Sequence, residues 1–280
     1  MKNLGFYNGK WDEIENISIP MNDRVCFFGD GVYDATYSRN YKISCLDEHI
    51  DRFYNSAKLL EIVLPYTKDE MKNLLNEMVS KMDTGENFVY FQATRATDEV
   101  RNHVFDSDKK ANIWINIFHK ELIDQKKKIQ LITTEDTRFL HCNIKSLNLI
   151  PSVMAAKKAQ ESGCFEAVFH RNGRITECAH SNVHIIKDGK LITAPTDNLI
   201  LPGITRKHII ECCKKIGIPV EERPYYLEDL FAADEVFVSS VSAKCLVADK
   251  IDGKDVGGKA SELVEKIQVM LLNDFINETN

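Results

Sequence analysis

No apolar run in this sequence approaches the ~18 consecutive residues that a membrane-spanning helix requires. The first residues, Met1 to Trp11, carry polar side chains every two or three positions and no apolar signal core, so neither a secretory leader nor a membrane anchor is expected there. The chain also lacks an excess of positive charge. Its 36 Lys and Arg are outnumbered by 42 Asp and Glu, for a formal net charge of −6. That excludes the basic footprint of a general nucleic-acid binder. The run Lys126 to Lys128 is short and reads as a solvated lead into a strand. There is no C-x-x-C pair. Eight cysteines are scattered at 26, 45, 142, 164, 178, 212, 213 and 245, a pattern of reduced thiols in a cytoplasmic protein rather than of a disulfide framework. Cysteines and histidines do not recur at structural-zinc spacing either, so no metal site is expected. Internal repeats and low-complexity segments are missing.

What is present suits an ordinary folded chain. The 280 residues are 44% hydrophobic and 28% charged, enough for one large or two modest domains with a sizeable core. Leu46, Ile50, Phe53, Ala57 and Leu60 recur at helical spacing, with Ser44 and Asp47 set as a capping box. A second helix follows Tyr66, with Thr67 and Glu70 as its box, a stripe of Met71, Leu74, Leu75, Met78 and Met82, and Gly85 as its stop. Strands are predicted over 88–94, 113–118, 129–133, 167–170, 183–187 and 236–239. Helices are predicted over 153–161, ending at Gly163, over 204–215, and near the end around Leu263, Ile267, Met270 and Leu271. Arg171-Asn172-Gly173 marks a turn, and Asp188-Gly189 between apolar pairs is a strong hairpin signal. The expected class is α/β, with α+β character in each half. The halves are a smaller N-terminal domain (1–118), a polar linker (119–128) and a larger C-terminal domain (129–280).

Five local features can carry chemistry, and each has a plainer reading beside it. Leu201-Pro202-Gly203-Ile204-Thr205-Arg206 sets free N–H groups and a hydroxyl at a helix start, which attracts an anion; the plain reading is a loop-to-helix junction. Lys145, between Ile144 and Leu147, is a buried amine nucleophile or a packed stem with its ammonium in water. Glu177, followed by Cys178-Ala179-His180-Ser181-Asn182, is a carboxylate beside small residues, or a strand-end glutamate paired at the surface. Arg101 and His103 would share one side of an extended segment and suit a carboxylate, or are simply two solvated loop residues. Arg52 lies off the apolar stripe of its helix and reads by default as an exposed partner of Glu48.

Taken in order these features resemble one family. Phe28-Gly29-Asp30-Gly31-Val32-Tyr33, Glu48-His49-Ile50-Asp51-Arg52, Tyr90-Phe91-Gln92, Arg101-x-His103, Asp136-Thr137-Arg138-Phe139-Leu140, Ile144-Lys145-Ser146-Leu147-Asn148, Thr176-Glu177, Ser181-Asn182-Val183 and Gly203-Ile204-Thr205-Arg206 run over nearly the whole chain. The chain resembles the fold-type IV pyridoxal phosphate (PLP) enzymes, most closely the D-amino acid aminotransferases. The resemblance implies a two-domain fold with PLP in the cleft between domains, and usually a homodimer. It implies Lys145 as the lysine that forms an imine with the cofactor and Glu177 as the partner of the pyridine nitrogen. Arg52, Ile204, Thr205, Ser240 and Val241 would hold the phosphate, and Leu201 would pack on the ring. Tyr33, Arg101 and His103 would trap the substrate carboxylate, the implied dimer bringing one subunit's Arg101 loop near the other's site. The implied reaction exchanges an amino group between D-amino acids and 2-oxo acids, typically D-alanine and 2-oxoglutarate giving pyruvate and D-glutamate.

The sequence departs from that pattern in places. Cys178, Ala179 and His180 stand where small Gly and Ser are familiar, and Val241 stands where a Thr hydroxyl is common. His180, Ser181, Asn182 and Ser242 are therefore candidates for setting specificity. His184, within a strand, reads as a structural histidine. The competing activities on the same scaffold are an L-branched-chain aminotransferase and an aminodeoxychorismate lyase; a non-enzymatic relative is opposed by the presence of Lys145 and Glu177.

Overall fold

A computed structural model describes residues 3–280, which form two compact units. The first comprises Met1–Glu121 together with Ile144–Asn148 and Phe275–Asn280; the second comprises Leu122–Asn143 and Leu149–Asp274. Both mix helices and sheet, as the α/β reading expects.

The first unit is built on a six-stranded sheet. Its elements are β1 (Asn3–Tyr7), β2 (Lys10–Glu13), α1 (Arg24–Phe28), β3 (Gly31–Arg39), β4 (Lys42–Ile43), α2 (Leu46–Leu59), α3 (Lys68–Ser80), β5 (Asn87–Thr94) and β6 (Asn112–His119). The strand order is β2-β1-β6-β5-β3-β4 and every neighbouring pair is antiparallel. One face of the sheet is covered by α2 and α3. Ile50, Phe53 and Ala57 of α2 and Met71, Leu75 and Met78 of α3 are buried against Val89, Phe91 and Ile115, as their helical spacing predicts.

The second unit carries a mixed sheet. Its elements are β7 (Ile129–Glu135), α4 (Ile150–Glu161), β8 (Glu166–Arg171), β9 (Arg174–Cys178), β10 (Asn182–Lys187), β11 (Lys190–Thr193), α5 (Ile204–Lys215), β12 (Val220–Glu222), α6 (Leu227–Phe231), β13 (Glu235–Ser239), β14 (Leu246–Ile251), β15 (Lys254–Asp255) and α7 (Ser261–Glu278). The order is β12-β11-β10-β13-β14-β7-β8-β9, with β15 on β14. The pairs β11–β12, β14–β7 and β7–β8 are parallel. Apolar side chains are buried in separate clusters. Ile185, Val236, Val238 and Leu246 belong to one; Phe237, Ile209, Val264 and Ile267 belong to another.

Local signals hold where the interaction that makes them is local. Thr67 and Glu70 cap α3 reciprocally, the Thr67 hydroxyl accepting from the Glu70 N–H and the Glu70 carboxylate from the Thr67 N–H. Asp188 and Gly189 both take positive φ and join β10 to β11, with Ile185 facing Ile192. Three expectations need correction. Ser44 and Asp47 form no capping box: Cys45 is the N-cap of α2, and its N–H and the Ser44 hydroxyl both donate to the Glu278 carboxylate, at 2.6 and 2.8 Å. A full carboxylate from the C-terminal segment replaces the local cap. The second helix stops at Ser80 rather than at Gly85, because the Lys81 N–H turns back to Met78 and Val79 carbonyls. The third concerns Lys145, expected on the second half. Its segment groups with the first unit, since Leu147 donates to the Gly31 carbonyl at 3.0 Å, Tyr33 donates to the Lys145 carbonyl at 2.9 Å, and Ser146 bridges Val32.

Candidate active site

In the first unit, β3 presents the lysine segment. A side chain at Gly31 would meet the Ala93 carbonyl of β5 at 2.5 Å, so glycine is needed where β3 lies against β5, and the Leu147 side chain packs into the space it leaves, 2.7 Å from where a Cβ would sit. The register then sets Lys145 beside Tyr33: its Nζ lies 4.2 Å from the centre of the Tyr33 ring. Tyr33 is half-buried and stacks on Tyr90 at 5.5 Å. These two expected site residues are brought together by backbone pairing alone.

Arg52 is not the exposed surface residue that its place on the helix suggests. It is 11% exposed and its fork grips Asp34, with Nε to Oδ2 and Nη2 to Oδ1 both at 2.8 Å. Asp34 is fully buried on β3 and also meets His49 Nδ1 at 2.8 Å. Burial opposes its charge, but Arg52 and His49 outweigh that and hold the carboxyl well below the usual range. Asp34 escaped the sequence reading although it had a signal: a carboxylate among the inward positions of a strand that buries Val32 and Thr36 needs a cationic partner.

The second unit gathers another group around Asn182. Glu177, at the end of β9, is 5% exposed. Its Oε1 meets Arg138 Nη1, and its Oε2 accepts from Asn182 Nδ2 at 3.0 Å and from the Leu201 N–H at 3.1 Å. Asn182 also donates to the Leu201 carbonyl at 3.0 Å. Its Oδ1 packs so closely on Gly203 that a Cβ there would sit 2.0 Å away, which makes glycine obligatory at the entrance to α5. Arg138 is fixed in turn by Asp136, through Nη2 to Oδ2 at 2.9 Å. Burial works against the guanidinium, but the Asp136 hydrogen bond and the charges of Glu177 and Asp136 raise its pKa and keep it cationic. Arg138, quoted in the sequence motif without a role, thus orients Glu177.

Gly203 is the N-cap of α5 and, being glycine, brings no side-chain cap to the first N–H groups of that helix. Ile204 and Thr205 are each 8% exposed. The helix start therefore offers backbone donors and the positive end of its dipole. Ser239, the last residue of β13, pairs with Asn182, so the Ser240 turn begins beside the same asparagine. Within it Ser240 Oγ accepts from the Ala243 N–H at 3.0 Å and lies 3.3 Å from Ser242 Oγ, with Val241 between them half-buried.

The remaining candidates fall elsewhere. Arg101 and His103 are exposed loop residues that meet at one aromatic ring: the Arg101 guanidinium is 4.8 Å and the His103 ring 5.1 Å from the centre of Phe28. His180 and Ser181 both turn to Glu166, a fully buried carboxylate: His180 N–H and Nδ1 each lie 2.6 Å from Oε1, and Ser181 Oγ 2.6 Å from Oε2. Cys178 is buried, and burial pushes its thiol pKa well up, away from the reactive thiolate. His184 is fully buried between Thr193 Oγ1 and Ser239 Oγ at 3.0 and 2.7 Å, as a structural histidine should be.

The first unit thus offers a lysine amine with an aromatic neighbour, and the second a buried carboxylate ordered by an arginine and a helix start with backbone donors. Known proteins resemble the chain over most of its length. The model of the amino-transferase class IV family matches residues 31–251. A D-alanine aminotransferase of Listeria monocytogenes is 40% identical over 269 residues, covering 94% of this chain and 93% of the relative. One from Bacillus licheniformis is 36% identical over 276 residues, covering 98% and 97%. Among solved structures, the branched-chain amino acid aminotransferase of Escherichia coli superposes with a TM-score of 0.91 at 24% identity, over 100% of this chain and 96% of that one, which speaks to the fold alone. The two-domain fold-type IV class is therefore the right one, and the chain belongs to the amino-transferase class IV family.

Proposed function

We propose that this chain is a PLP-dependent aminotransferase acting on D-amino acids and 2-oxo acids, of the type that converts D-alanine and 2-oxoglutarate to pyruvate and D-glutamate. The observation that carries it is the Asn182 cluster, which orders a buried carboxylate beside a helix start with backbone donors. That donor set fits the two ends of PLP, a protonated ring nitrogen and a phosphate dianion. The names of the relatives support the substrate class.

On this reading Glu177 holds a proton at the ring nitrogen, and Arg138 aims the Glu177 carboxylate. Ile204 and Thr205 N–H groups, the Thr205 hydroxyl, the Ser240 and Val241 turn and the Arg52 guanidinium neutralise the phosphate. Leu201 packs against the ring. When bound, the cofactor supplies an electron sink that stabilises the electron pair left at the substrate Cα. Lys145 Nζ would take the proton from the substrate Cα as general base and deliver it, as general acid, to the C4′ carbon of the cofactor rather than back to Cα. Tyr33, Arg101 and His103 bind the substrate carboxylate, fixing which face of Cα turns its hydrogen to Lys145. His180, Ser181, Asn182 and Ser242 line the reading's specificity group; His180 and Ser181 are anchored through Glu166.

Two finer elements belong to the same proposal. A homodimer is supported by Val100 and Val104, 72% and 76% exposed on either side of the Arg101–His103 pair, where a monomer would leave apolar surface in water. A cytoplasmic location is supported by eight cysteines that form no disulfide with one another.

The test is to purify the protein with PLP and follow the visible spectrum of the bound cofactor during separate additions of D-alanine, L-alanine and L-leucine, with no acceptor. Conversion by D-alanine supports the reading. Conversion by L-leucine alone replaces it with a branched-chain activity, and conversion by none brings the lyase forward. Borohydride reduction and peptide mapping should place the cofactor on Lys145; a label on any other lysine removes that assignment.

A further inference from the structure

The proposed carboxylate trap lies on a loop with no regular secondary structure, yet the loop is fixed from beneath by one buried cation. Arg24, the first residue of α1, is 4% exposed. Its Nε meets Asp30 Oδ2 at 2.9 Å, its Nη1 meets Asp98 Oδ2 and the Asn102 carbonyl at 2.7 Å each, and its Nη2 reaches the His103 carbonyl at 3.3 Å. The guanidinium carbon lies 4.9 Å from the centre of Phe28, the ring that Arg101 and His103 also contact. Five donors in a rigid fork can hold two carboxylates and two carbonyls at once, which an ammonium cannot do.

The anchor itself is firm. The Arg24 N–H donates to the Ala96 carbonyl at 3.0 Å. The adjacent Asp23 is fully buried and accepts from the Val25 N–H, the Thr94 hydroxyl and Asn112 Nδ2 at 2.8–2.9 Å. Asp30 is held independently by Arg95 and Asp98 by Lys109. The loop backbone at residues 102 and 103 is therefore held from α1 through Arg24, with Asp98 of the loop itself, paired with Lys109, bracing the same cation.

We infer that Arg24 is a positioning residue for substrate recognition: by gripping the carbonyls of Asn102 and His103 it places the Arg101 and His103 side chains that receive the substrate carboxylate. It touches neither substrate nor cofactor, so its effect falls on binding of the amino and oxo acids. The inference rests on the carboxylate-trap reading above.

The test is Arg24→Lys, with Phe28→Leu as a second variant that leaves the Arg24 bonds in place but removes the shared ring. In PLP-loaded Arg24→Lys enzyme, KM for the D-amino acid and for the oxo acid should each rise roughly tenfold or more, with kcat within about twofold and PLP affinity unchanged. Amide hydrogen exchange over 98–104 should quicken, while that of 201–206 stays as it was. Phe28→Leu should raise KM in the same direction without quickening exchange at 102–104. Unchanged KM with unchanged exchange overturns the inference, as does a parallel fall of kcat and PLP affinity, which would mark a general structural role. Lack of any D-amino acid transfer by the unaltered protein would overturn the substrate reading instead, and the exchange of 98–104 would still decide whether Arg24 holds the loop.

Discussion

The two units each bury an arginine against carboxylate, but to opposite ends. In the first, one carboxylate, Asp34, is enclosed by Arg52 and His49 and also accepts from the Ala35 N–H. The anion is the support, holding the cation through two of its nitrogens. In the second, Arg138 lies between Asp136 and Glu177, and the cation is the support. Arg171 adds a further bond to Asp136 at 3.1 Å, while Arg138 Nη1 reaches Glu177. On the proposed reading the first pair suits a phosphate and the second a protonated ring nitrogen. The difference teaches that a buried arginine–carboxylate pair can be built to hold either of its members in place. Such pairs contribute less net stability than their count suggests, because desolvation offsets attraction, but removing one member strands the other.

The largest effect should come from stranding two charges at once. Arg138→Met leaves Glu177 and Asp136 with less compensation, and we predict a loss of about 3–5 kcal/mol in urea unfolding. Adding Glu177→Gln should recover part of that loss, because one of the stranded charges is gone. Equal stability of the single and double variants would show that Arg138 does not support Glu177. Asp34→Asn should cost less, on the order of 1.5–3 kcal/mol for hydrogen bonds to charged groups, and it should weaken PLP binding as the Arg52 fork loosens. Equilibrium dialysis of the cofactor measures it, and an unchanged affinity breaks the comparison on the first unit's side.

Two buried histidines sharpen the contrast. His49 faces a carboxylate, whereas His184 sits between hydroxyls, and burial lowers the His184 pKa to about 3. A histidine depressed on folding binds more protons when unfolded, so its contribution is complete above the unfolded value and lost as pH falls toward the folded one. Between pH 7 and pH 5 this should remove on the order of 2 kcal/mol of stability. His184→Gln should flatten that slope, and an unaltered slope would place the proton uptake elsewhere. The smallest effect belongs to a purely local device: Thr67→Ala should lower the thermal midpoint by an amount equivalent to about 1 kcal/mol, with no change in cofactor or substrate constants.

Legibility followed the range of the interaction. The helix over 204–215 was readable to the residue, because Pro202 and Gly203 punctuate its start and its apolar spacing does the rest. Lys145, Glu177 and the α5 start were readable as candidates, and their order along the chain pointed to the family. Their supports were not. Arg52 is 18 residues from Asp34, Arg138 is 39 from Glu177, and Arg24 is 79 from His103. Residue type and local period say that an arginine exists, not which carboxylate will be buried beside it. Asn182 was picked for specificity and proved to be the hub joining Glu177, Leu201 and Gly203, a role visible only once β10 is in register with β13.

The sequence by itself determined the α/β class, the hairpins, most helices and the family, because these rest on backbone preferences and apolar spacing within a few residues. The tertiary structure decided that Glu278 caps α2, that the Lys145 segment lies on β3, that Arg52 is spoken for by Asp34, and that Arg24 holds the Arg101–His103 loop. These are meetings of charged and polar groups far apart in sequence, and only removal from water makes the choice of partner strong enough to fix their geometry.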